Sequence, residues 1–271
     1  MFTDHASWGQ EMSIDKPSWR QLRQRLQQGE HLLGTFVKIP TMHATEILGG
    51  LGFDFAVFDQ EHAPLSISQL EIMILAARAS NIAGIVRVSD PSDSSILSML
   101  DCGAAGVMVP HVATRAKAEA IAKACRYRSG HRGFANTTRA GGFGTASFAD
   151  HMDAQDREVV CIAMIEDLSA LDEIEDIVRV EGIDAIFIGR GDLTAALGAP
   201  SMTSAETHEV VAPIMAAARK AGMPVIMLSP DRKDALAMKA LGANAFMVSS
   251  DQGFMRSAAL SALEEFADPM V

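Results

Sequence analysis

Short apolar runs alternate with amphipathic stretches along nearly the whole chain. The runs are rich in Val, Ile, Phe and Met, and their lack of polar alternation is typical of parallel strands that helices cover on both faces. Segments with helical spacing lie between them, and several end at a glycine. The pattern predicts an α/β fold, a (β/α)₈ TIM barrel with strands at Leu33–Ile39, Phe55–Asp59, Ile85–Val88, Val107–Pro110, Val159–Glu166, Ala185–Gly189, Val225–Leu228 and Phe246–Val248.

Two segments stand outside this repeat. Ser13–Gly29 is predicted to form an added helix whose apolar stripe, with Leu22 and Leu26, covers the bottom of the barrel. The longest irregular piece, Arg126–Arg157, is too long for a simple connector in a compact barrel. It therefore predicts a functional loop or a subunit contact.

The length of the chain, 271 residues, is usual for one barrel of this kind. No linker or shift in composition interrupts it, so we expect a single domain over residues 1–271. Within that domain, residues 1–30 are expected to form an N-terminal extension and helix, and residues 250–271 a C-terminal helix that contacts another subunit.

The charge balance excludes two classes of partner. With 23 basic and 34 acidic residues, the net charge of −11 repels nucleic acid phosphates and anionic lipid. We therefore expect small-molecule substrates, and neither nucleic acid nor a membrane. The three cysteines lie far apart without metal-site spacing, and no run resembles an export or membrane signal, so a cytoplasmic location is expected.

Polar residues follow the second predicted strand, in the run from Asp59 to Pro64. Because a barrel carries its active site at the C-terminal ends of its strands, His62 is a candidate general base. A neighbouring carboxylate such as Asp59 could fix the tautomer of His62 and stabilise its imidazolium form. The alternative is that Asp59 and His62 only make turn hydrogen bonds before the next helix.

Charged residues also interrupt or end three later strands. Arg87 lies among β-branched residues, where a guanidinium needs either a substrate anion or a structural salt bridge. Glu166 ends the fifth strand and points the same way as Met164, whereas Asp167 points the other way. Asp192 follows the sixth strand. Glu166 and Asp192 are candidate metal ligands, and the alternative for each is a capping role at the following helix.

Two glycines precede Asp192. Gly189 and Gly191 let the backbone turn sharply and leave amides free to face an anion. The run lacks the third glycine of a dinucleotide-binding fingerprint, and no phosphate-binding loop of the Gly-x-x-x-x-Gly-Lys-Ser/Thr type occurs. Neither NAD nor ATP is therefore expected.

Several runs occur in a fixed order between Leu33 and Ser250: Phe58–Pro64, Val86–Val88, Gly103–Pro110, Arg132–Gly133, Met164–Glu166 and Ile183–Thr194. Together they resemble the HpcH/HpaI aldolases of the phosphoenolpyruvate/pyruvate barrel superfamily. These are metal-dependent class II pyruvate aldolases that act on 2-keto-3-deoxy sugar acids and 4-hydroxy-2-oxo diacids. The resemblance implies reversible aldol cleavage that gives pyruvate and an aldehyde.

The resemblance also implies a metal centre. Glu166 and Asp192 would hold Mg²⁺, Mn²⁺ or Co²⁺. Glu61 would not touch the metal itself but would hold waters that are bound to it. Two carboxylates leave most of an octahedral shell to water and substrate, as a Lewis-acid site requires.

The same resemblance assigns roles to the other site residues. Arg87 would stabilise the enolate oxygen. His62, oriented by Asp59, would move the proton of the 4-hydroxyl group. The amides at Gly189, Arg190 and Gly191 would bind the pyruvate carboxylate.

This chain departs from the family at positions that line the expected pocket. Family members often carry Trp at the position of Phe36, Gln at that of Met164 and Pro at that of Arg190. All three residues are expected to contact substrate, and the guanidinium of Arg190 is predicted to bind a carboxylate or hydroxyl of the aldehyde.

The resemblance further implies a hexamer, a trimer of dimers in which the apolar tail Met255–Phe266 packs on a neighbouring barrel. Two alternatives for the function stay open. One is an acyl-CoA lyase that cleaves malyl- or citramalyl-CoA, and the other is a non-catalytic ligand-binding barrel.

Overall fold

A computed structural model describes residues 16–267. Eight parallel strands pair in sequence order, and the last pairs with the first to close a barrel. This confirms the predicted (β/α)₈ barrel, and each predicted strand is present with its ends shifted by a few residues at most. The strands are β1 Leu32–Val37, β2 Phe55–Asp59, β3 Ala83–Arg87, β4 Gly106–Val109, β5 Val160–Ile165, β6 Ala185–Ile188, β7 Val225–Leu228 and β8 Ala245–Ser250.

Helices surround the barrel and follow its strands. They are α1 Leu22–Gln27, α2 Met42–Gly50, α3 Ile67–Ala79, α4 Asp93–Asp101, α5 Arg115–Ala124, α6 Phe148–Glu158, α7 Ile174–Ile177, α8 Arg190–Leu197, α9 Ala205–Ala221, α10 Arg232–Leu241 and α11 Asp251–Glu265. Short 3₁₀ turns lie at Trp19–Gln21, Arg139–Gly144 and Leu168–Asp172. Within residues 16–267, no helix combines the length and the apolar character needed to cross a membrane.

The strands are buried because both of their faces are covered. Alternate side chains of β2 point inward, where Phe55 and Val57 join the apolar cluster that fills the barrel, and outward, where Ala56 and Phe58 pack under the helices. Leu22 of α1 also belongs to the interior cluster. This confirms that the N-terminal helix covers the bottom of the barrel, and it leaves the opposite end open.

The N-terminal helix is shorter than predicted. Ser18 caps the first 3₁₀ turn with its side chain, and the α-helix itself begins at Leu22. Ser13, where the predicted helix begins, lies outside the described residues.

The prediction of a long irregular segment at Arg126–Arg157 is wrong in part, because α6 begins at Phe148 and occupies the last third of the segment. Asp156 of α6 accepts hydrogen bonds from the backbone N–H groups of Tyr127 and Arg128. Arg20, near the N-terminal helix, pairs with Glu158 at 2.7 Å. These contacts attach the end of the segment to the bottom of the barrel, and its role in a subunit contact stays a prediction.

Candidate active site

A cavity of about 540 Å³ opens at the C-terminal ends of the strands. Most of the residues predicted to form the site line this cavity: Phe36, His62, Arg87, Met164, Glu166, Gly189, Arg190, Gly191 and Asp192. Asp59 and Glu61 lie behind the wall and contact Arg87. Residues that are far apart in sequence thus meet at one mouth, as the barrel topology predicts.

Asp59 connects three strand ends below the cavity. Its fully buried carboxylate accepts two hydrogen bonds from Arg87, at 2.9 and 2.7 Å, and lies 3.0 Å from Nζ of Lys38. Burial by itself raises the pKa of Asp59, but the hydrogen bonds and charge of Arg87 outweigh it and hold the pKa below its ordinary value. Asp59 is therefore ionised and fixes the guanidinium that faces the cavity.

The expectation that Asp59 orients the imidazole of His62 is wrong. Asp59 accepts a hydrogen bond from the backbone N–H of His62 at 3.0 Å, which is the turn contact considered as the alternative. The ring of His62 is 55% exposed, and its Nε2 lies 3.7 Å from Oε2 of Glu61. His62 therefore combines a turn contact of its backbone with a ring that faces the cavity.

Arg87 is held from three sides. Besides Asp59, Oε2 of Glu61 lies 3.1 Å from its Nη1, an ion pair whose geometry falls short of a hydrogen bond. The guanidinium carbon lies 4.8 Å from the centre of the Phe36 ring, within the range of a cation–π contact. The salt bridge considered as the alternative for Arg87 is present, and Arg87 also lines the cavity.

Three potential metal ligands lie close together in the wall, and Asp192 lines the same cavity. Ligand atoms of Glu61, His111 and Glu166 lie within 4.8 Å of one another. Burial raises the pKa of Glu166, and the charges of Asp192 and Glu61 raise it further. Crowded carboxylates at a buried position are unfavourable without a cation, so the residues present fit a divalent metal ion.

Neither Glu166 nor Asp192 takes the capping role considered as its alternative. The carboxylate of Glu166 accepts a hydrogen bond from the backbone N–H of His111 at 2.8 Å. Asp192 lies inside the first turn of α8, whose N-cap is Gly189. Both side chains are thus available to the cavity.

Gly189 acts differently from the expectation. Its amide donates to the carbonyl of Ile165 at 3.0 Å, so it is not free to bind a carboxylate, and that part of the prediction is wrong. A Cβ at this position would lie 2.6 Å from both Cβ and Oε2 of Glu166. Gly189 therefore leaves the space that the Glu166 carboxylate occupies. The amides of Arg190 and Gly191, in the first turn of α8, have no partner within that helix.

We expect Gly189→Ala to weaken Mn²⁺ binding by about 10- to 100-fold, because the added methyl group displaces Glu166 from its place. Gly191→Ala is the matched control, since no atom lies within 4 Å of a Cβ there. Calorimetric titration of the metal-free variants with Mn²⁺ measures the two affinities. Equal affinities for the two variants would contradict this role of Gly189.

Arg190 was predicted to bind a carboxylate or hydroxyl of the aldehyde, and this is wrong because Arg190 pairs with Asp234 instead. The guanidinium is 1% exposed and donates to Asp234 at 2.8 and 2.6 Å, and it also donates to the carbonyl of Leu228 at 2.5 Å. A cation already paired in this way is not presented to an aldehyde. Arg190 instead ties the start of α8 to the end of β7 and to α10.

The Arg190–Asp234 pair predicts a pH dependence of stability. Burial raises the pKa of Asp234, but the hydrogen bonds from Arg190 and Ser229 and the charge of Arg190 together outweigh burial, so the pKa lies below its ordinary value. A carboxyl group with a lowered folded-state pKa stabilises the fold above its unfolded-state pKa, near 4, and loses that contribution as the pH falls. We expect Asp234→Asn to reduce the free energy of unfolding by about 3 kcal/mol at pH 7 and by less at pH 3.5.

Urea unfolding at several pH values tests this expectation. Asp153, exposed and paired with Arg128 at the surface, provides the control Asp153→Asn, which should change stability by less than about 0.5 kcal/mol. A difference between wild type and Asp234→Asn that stays constant from pH 7 to pH 3.5 would show that the charge of Asp234 contributes nothing.

Two residues of the site, Lys38 and His111, were not identified from the sequence. Lys38 follows β1 and lines the cavity. A single lysine at a strand end belongs to no recognisable motif, so the sequence did not identify it as a site residue. His111 follows β4 and lies beside Glu166, which is 55 positions away. The only signal for His111 was its place after a strand, shared with many other polar residues.

The chain is similar to several known proteins. Residues 32–258 match the family described as HpcH/HpaI aldolase/citrate lyase. The 5-keto-4-deoxy-D-glucarate aldolases of Klebsiella pneumoniae subsp. pneumoniae and Escherichia coli are each 34% identical to it over 236 residues, which cover 86% of this chain and 91% of theirs.

Solved structures of other proteins superpose on this chain over most of its length. A HpcH/HpaI aldolase/citrate lyase family protein from Burkholderia cenocepacia is 28% identical and superposes with a TM-score of 0.86, covering 92% of this chain and all of that one. A citrate synthase, SbnG, is 32% identical with a TM-score of 0.81, covering 91% of this chain and 98% of its own.

Proposed function

Because this chain belongs to the HpcH/HpaI aldolase/citrate lyase family and is a class II aldolase, a carbon–carbon lyase, we propose that it cleaves 4-hydroxy-2-oxo acids derived from sugar acids. The products are pyruvate and an aldehyde, and the reverse reaction joins them. One observation carries the proposal: Glu166, Asp192, Arg87 and His62 line the same cavity.

In this proposal Glu166 and Asp192 hold the divalent cation, with Glu61 close behind. Their hard carboxylate oxygens suit Mg²⁺, Mn²⁺ or Co²⁺. When bound, such a cation polarises the keto group of the 2-oxo acid and supplies positive charge where the enolate forms.

Arg87 donates a hydrogen bond to the oxygen that becomes negative as the bond between C3 and C4 breaks. Because Asp59 and Glu61 already fix the guanidinium, this donor needs no rearrangement during the reaction. The amides of Arg190 and Gly191 bind the carboxylate of the 2-oxo acid at the start of α8.

His62 transfers the proton. In the direction of cleavage its exposed ring takes the proton of the 4-hydroxyl group as the bond between C3 and C4 breaks, which releases the aldehyde. The enolate that remains takes a proton from solvent at C3 to give pyruvate, and addition reverses both proton transfers. Phe36 and Met164, both buried in the wall, pack against the carbon chain of the substrate.

The far end of the substrate needs a separate contact. A glucarate derivative carries a carboxylate at each end, and the relatives that act on 5-keto-4-deoxy-D-glucarate support a substrate of this class. Since Arg190 is paired with Asp234 and Lys38 with Asp59, we assign the second carboxylate to Arg256, a further cation of the described cavity wall.

Exchange of the pyruvate methyl hydrogens tests the proposal. We expect the metal-free protein, supplied with Mg²⁺ in D₂O, to incorporate deuterium into pyruvate as observed by NMR, and EDTA to stop the exchange. No exchange together with cleavage of malyl- or citramalyl-CoA would favour the acyl-CoA lyase instead. If the protein shows neither activity, the non-catalytic ligand-binding barrel becomes the favoured function.

We further propose a cytoplasmic hexamer built from one barrel domain per chain. An apolar groove between α2 and α11 supports assembly, because Ile47, Leu51 and Met255 on its walls are exposed. Leu260 and Leu263 continue this exposed surface along α11. Sedimentation of the purified protein measures the assembly, and the three free cysteines support a reducing compartment.

A further inference from the structure

His111 lies where the candidate metal ligands meet. It follows β4 closely and has a φ of +56°, a left-handed conformation that residues other than glycine rarely adopt. Its N–H donates to Oε1 of Glu166 at 2.8 Å, and its carbonyl accepts from Nζ of Lys117 at 2.8 Å. These two contacts keep the His111 ring beside Glu166.

The two ring nitrogens of His111 have different surroundings. Nδ1 lies 3.2 Å from Oδ1 of Asp167 and 3.7 Å from Oε1 of Glu166, whereas Nε2 lies 3.9 Å from Oε1 of Glu61. A hydrogen on Nδ1 that is donated to Asp167 leaves the lone pair on Nε2. Histidines that bind metals commonly donate their other N–H to a carboxylate in this way. Asp167 therefore holds the ring in the form that a metal ligand requires.

The spacing of the ligand atoms suits a single cation. Atoms of Glu61, His111 and Glu166 lie within 4.8 Å of one another. Ligand atoms about 2.1 Å from an octahedral cation are about 3 to 4 Å apart, so small side-chain movements close the shell. Oε2 of Glu61 is buried, makes no hydrogen bond within residues 16–267 and pairs with Nη1 of Arg87 at 3.1 Å, whereas Oε1 of Glu61 lies on the side of His111.

We propose that the imidazole of His111 is a third protein ligand of the divalent cation, beside the carboxylates of Glu166 and Asp192. This inference rests on the proposed function, because it concerns the same metal centre. Imidazole suits later transition metals, whereas Mg²⁺ prefers oxygen ligands and keeps several waters. His111 thereby shifts the metal preference of the enzyme from Mg²⁺ towards Co²⁺ and Zn²⁺.

Mn²⁺ added to the metal-free full-length protein is the spectroscopic probe. Electron spin echo envelope modulation detects a nitrogen nucleus bound directly to the ion. His111→Asn is the test variant, because Asn tolerates a positive φ and its side chain is too short to place an atom where Nε2 of His111 lies. His131→Asn is the matched control, since His131 is 49% exposed, close to the 54% of His111, and is also paired with an aspartate.

We expect the nitrogen signal in the wild type and in His131→Asn, and its loss in His111→Asn. The Kd for Co²⁺ should rise by about 10- to 100-fold in His111→Asn, while the Kd for Mg²⁺ changes by less than about threefold. Bound Mn²⁺ without a nitrogen signal in the wild type, or a signal that persists in His111→Asn, would overturn the role of His111 and leave the proposed function standing. A wild type that binds no Mn²⁺ would overturn the metal centre itself.

Discussion

Replacement of Glu166 by glutamine is expected to reduce kcat/KM for aldol cleavage by about 1000-fold or more, equivalent to about 4 kcal/mol. The amide keeps the shape of the side chain but removes the charge that would hold the cation. Steady-state kinetics with saturating metal measure the loss. Glu119→Gln, which changes an exposed acid on α5, is the control and should leave kcat/KM unchanged.

The same substitution has an opposite effect on stability. Because burial and nearby acids raise the pKa of Glu166, its ionised form is unfavourable in the metal-free fold. Metal-free Glu166→Gln should therefore unfold at a urea concentration equal to or higher than the wild type. A variant that is both less stable and less than tenfold impaired would contradict the assignment of Glu166 to the metal.

Arg87→Lys is expected to reduce kcat by about 100- to 1000-fold, the range found when one donor to a developing negative charge is removed. Lysine keeps the positive charge but cannot form the two parallel hydrogen bonds that Asp59 receives from Arg87. Loss of the Arg87–Asp59 pair also destabilises the fold, and that alone lowers the measured kcat if some of the enzyme unfolds. A control variant with a similar loss of stability separates the two effects.

Arg126 provides that control for Arg87. It is buried and paired with Asp184 at 2.6 Å, at the end of the barrel opposite the cavity. Arg126→Lys should lower stability by a similar amount, about 2–4 kcal/mol, with kcat unchanged at a temperature where both variants are folded. Equal losses of kcat in the two variants would mean that Arg87 only supports the fold.

The barrel could be predicted from sequence because its strands are buried on both faces and therefore form continuous apolar runs. The bounds of helix α2 were not predicted, since Ile47 and Leu51 are apolar yet exposed and obscure the helical pattern. Helix α6 was missed for the opposite reason. Its polar sequence buries His151 and Gln155, which are not typical core residues.

The site was predictable where strand ends carried charged residues and unpredictable where long-range pairing decided the role. Glu166 and Asp192 line the cavity as expected from their positions after β5 and in α8. The partner of Arg190 is 44 residues away in α10, and no spacing rule connects the two. The imidazole of His62 likewise faces Glu61, although Asp59 has the sequence spacing of a partner.

The pair between Arg190 and Asp234 has a consequence for the entropy of substrate binding. It anchors the first residue of α8 to α10, so the residues that carry the adjacent amides already line the cavity before any anion arrives. A binding site that is rigid in advance loses little conformational freedom when a ligand enters. The second carboxylate, by contrast, would meet the long and exposed side chain of Arg256 on α11, which can adjust to aldehydes of different length.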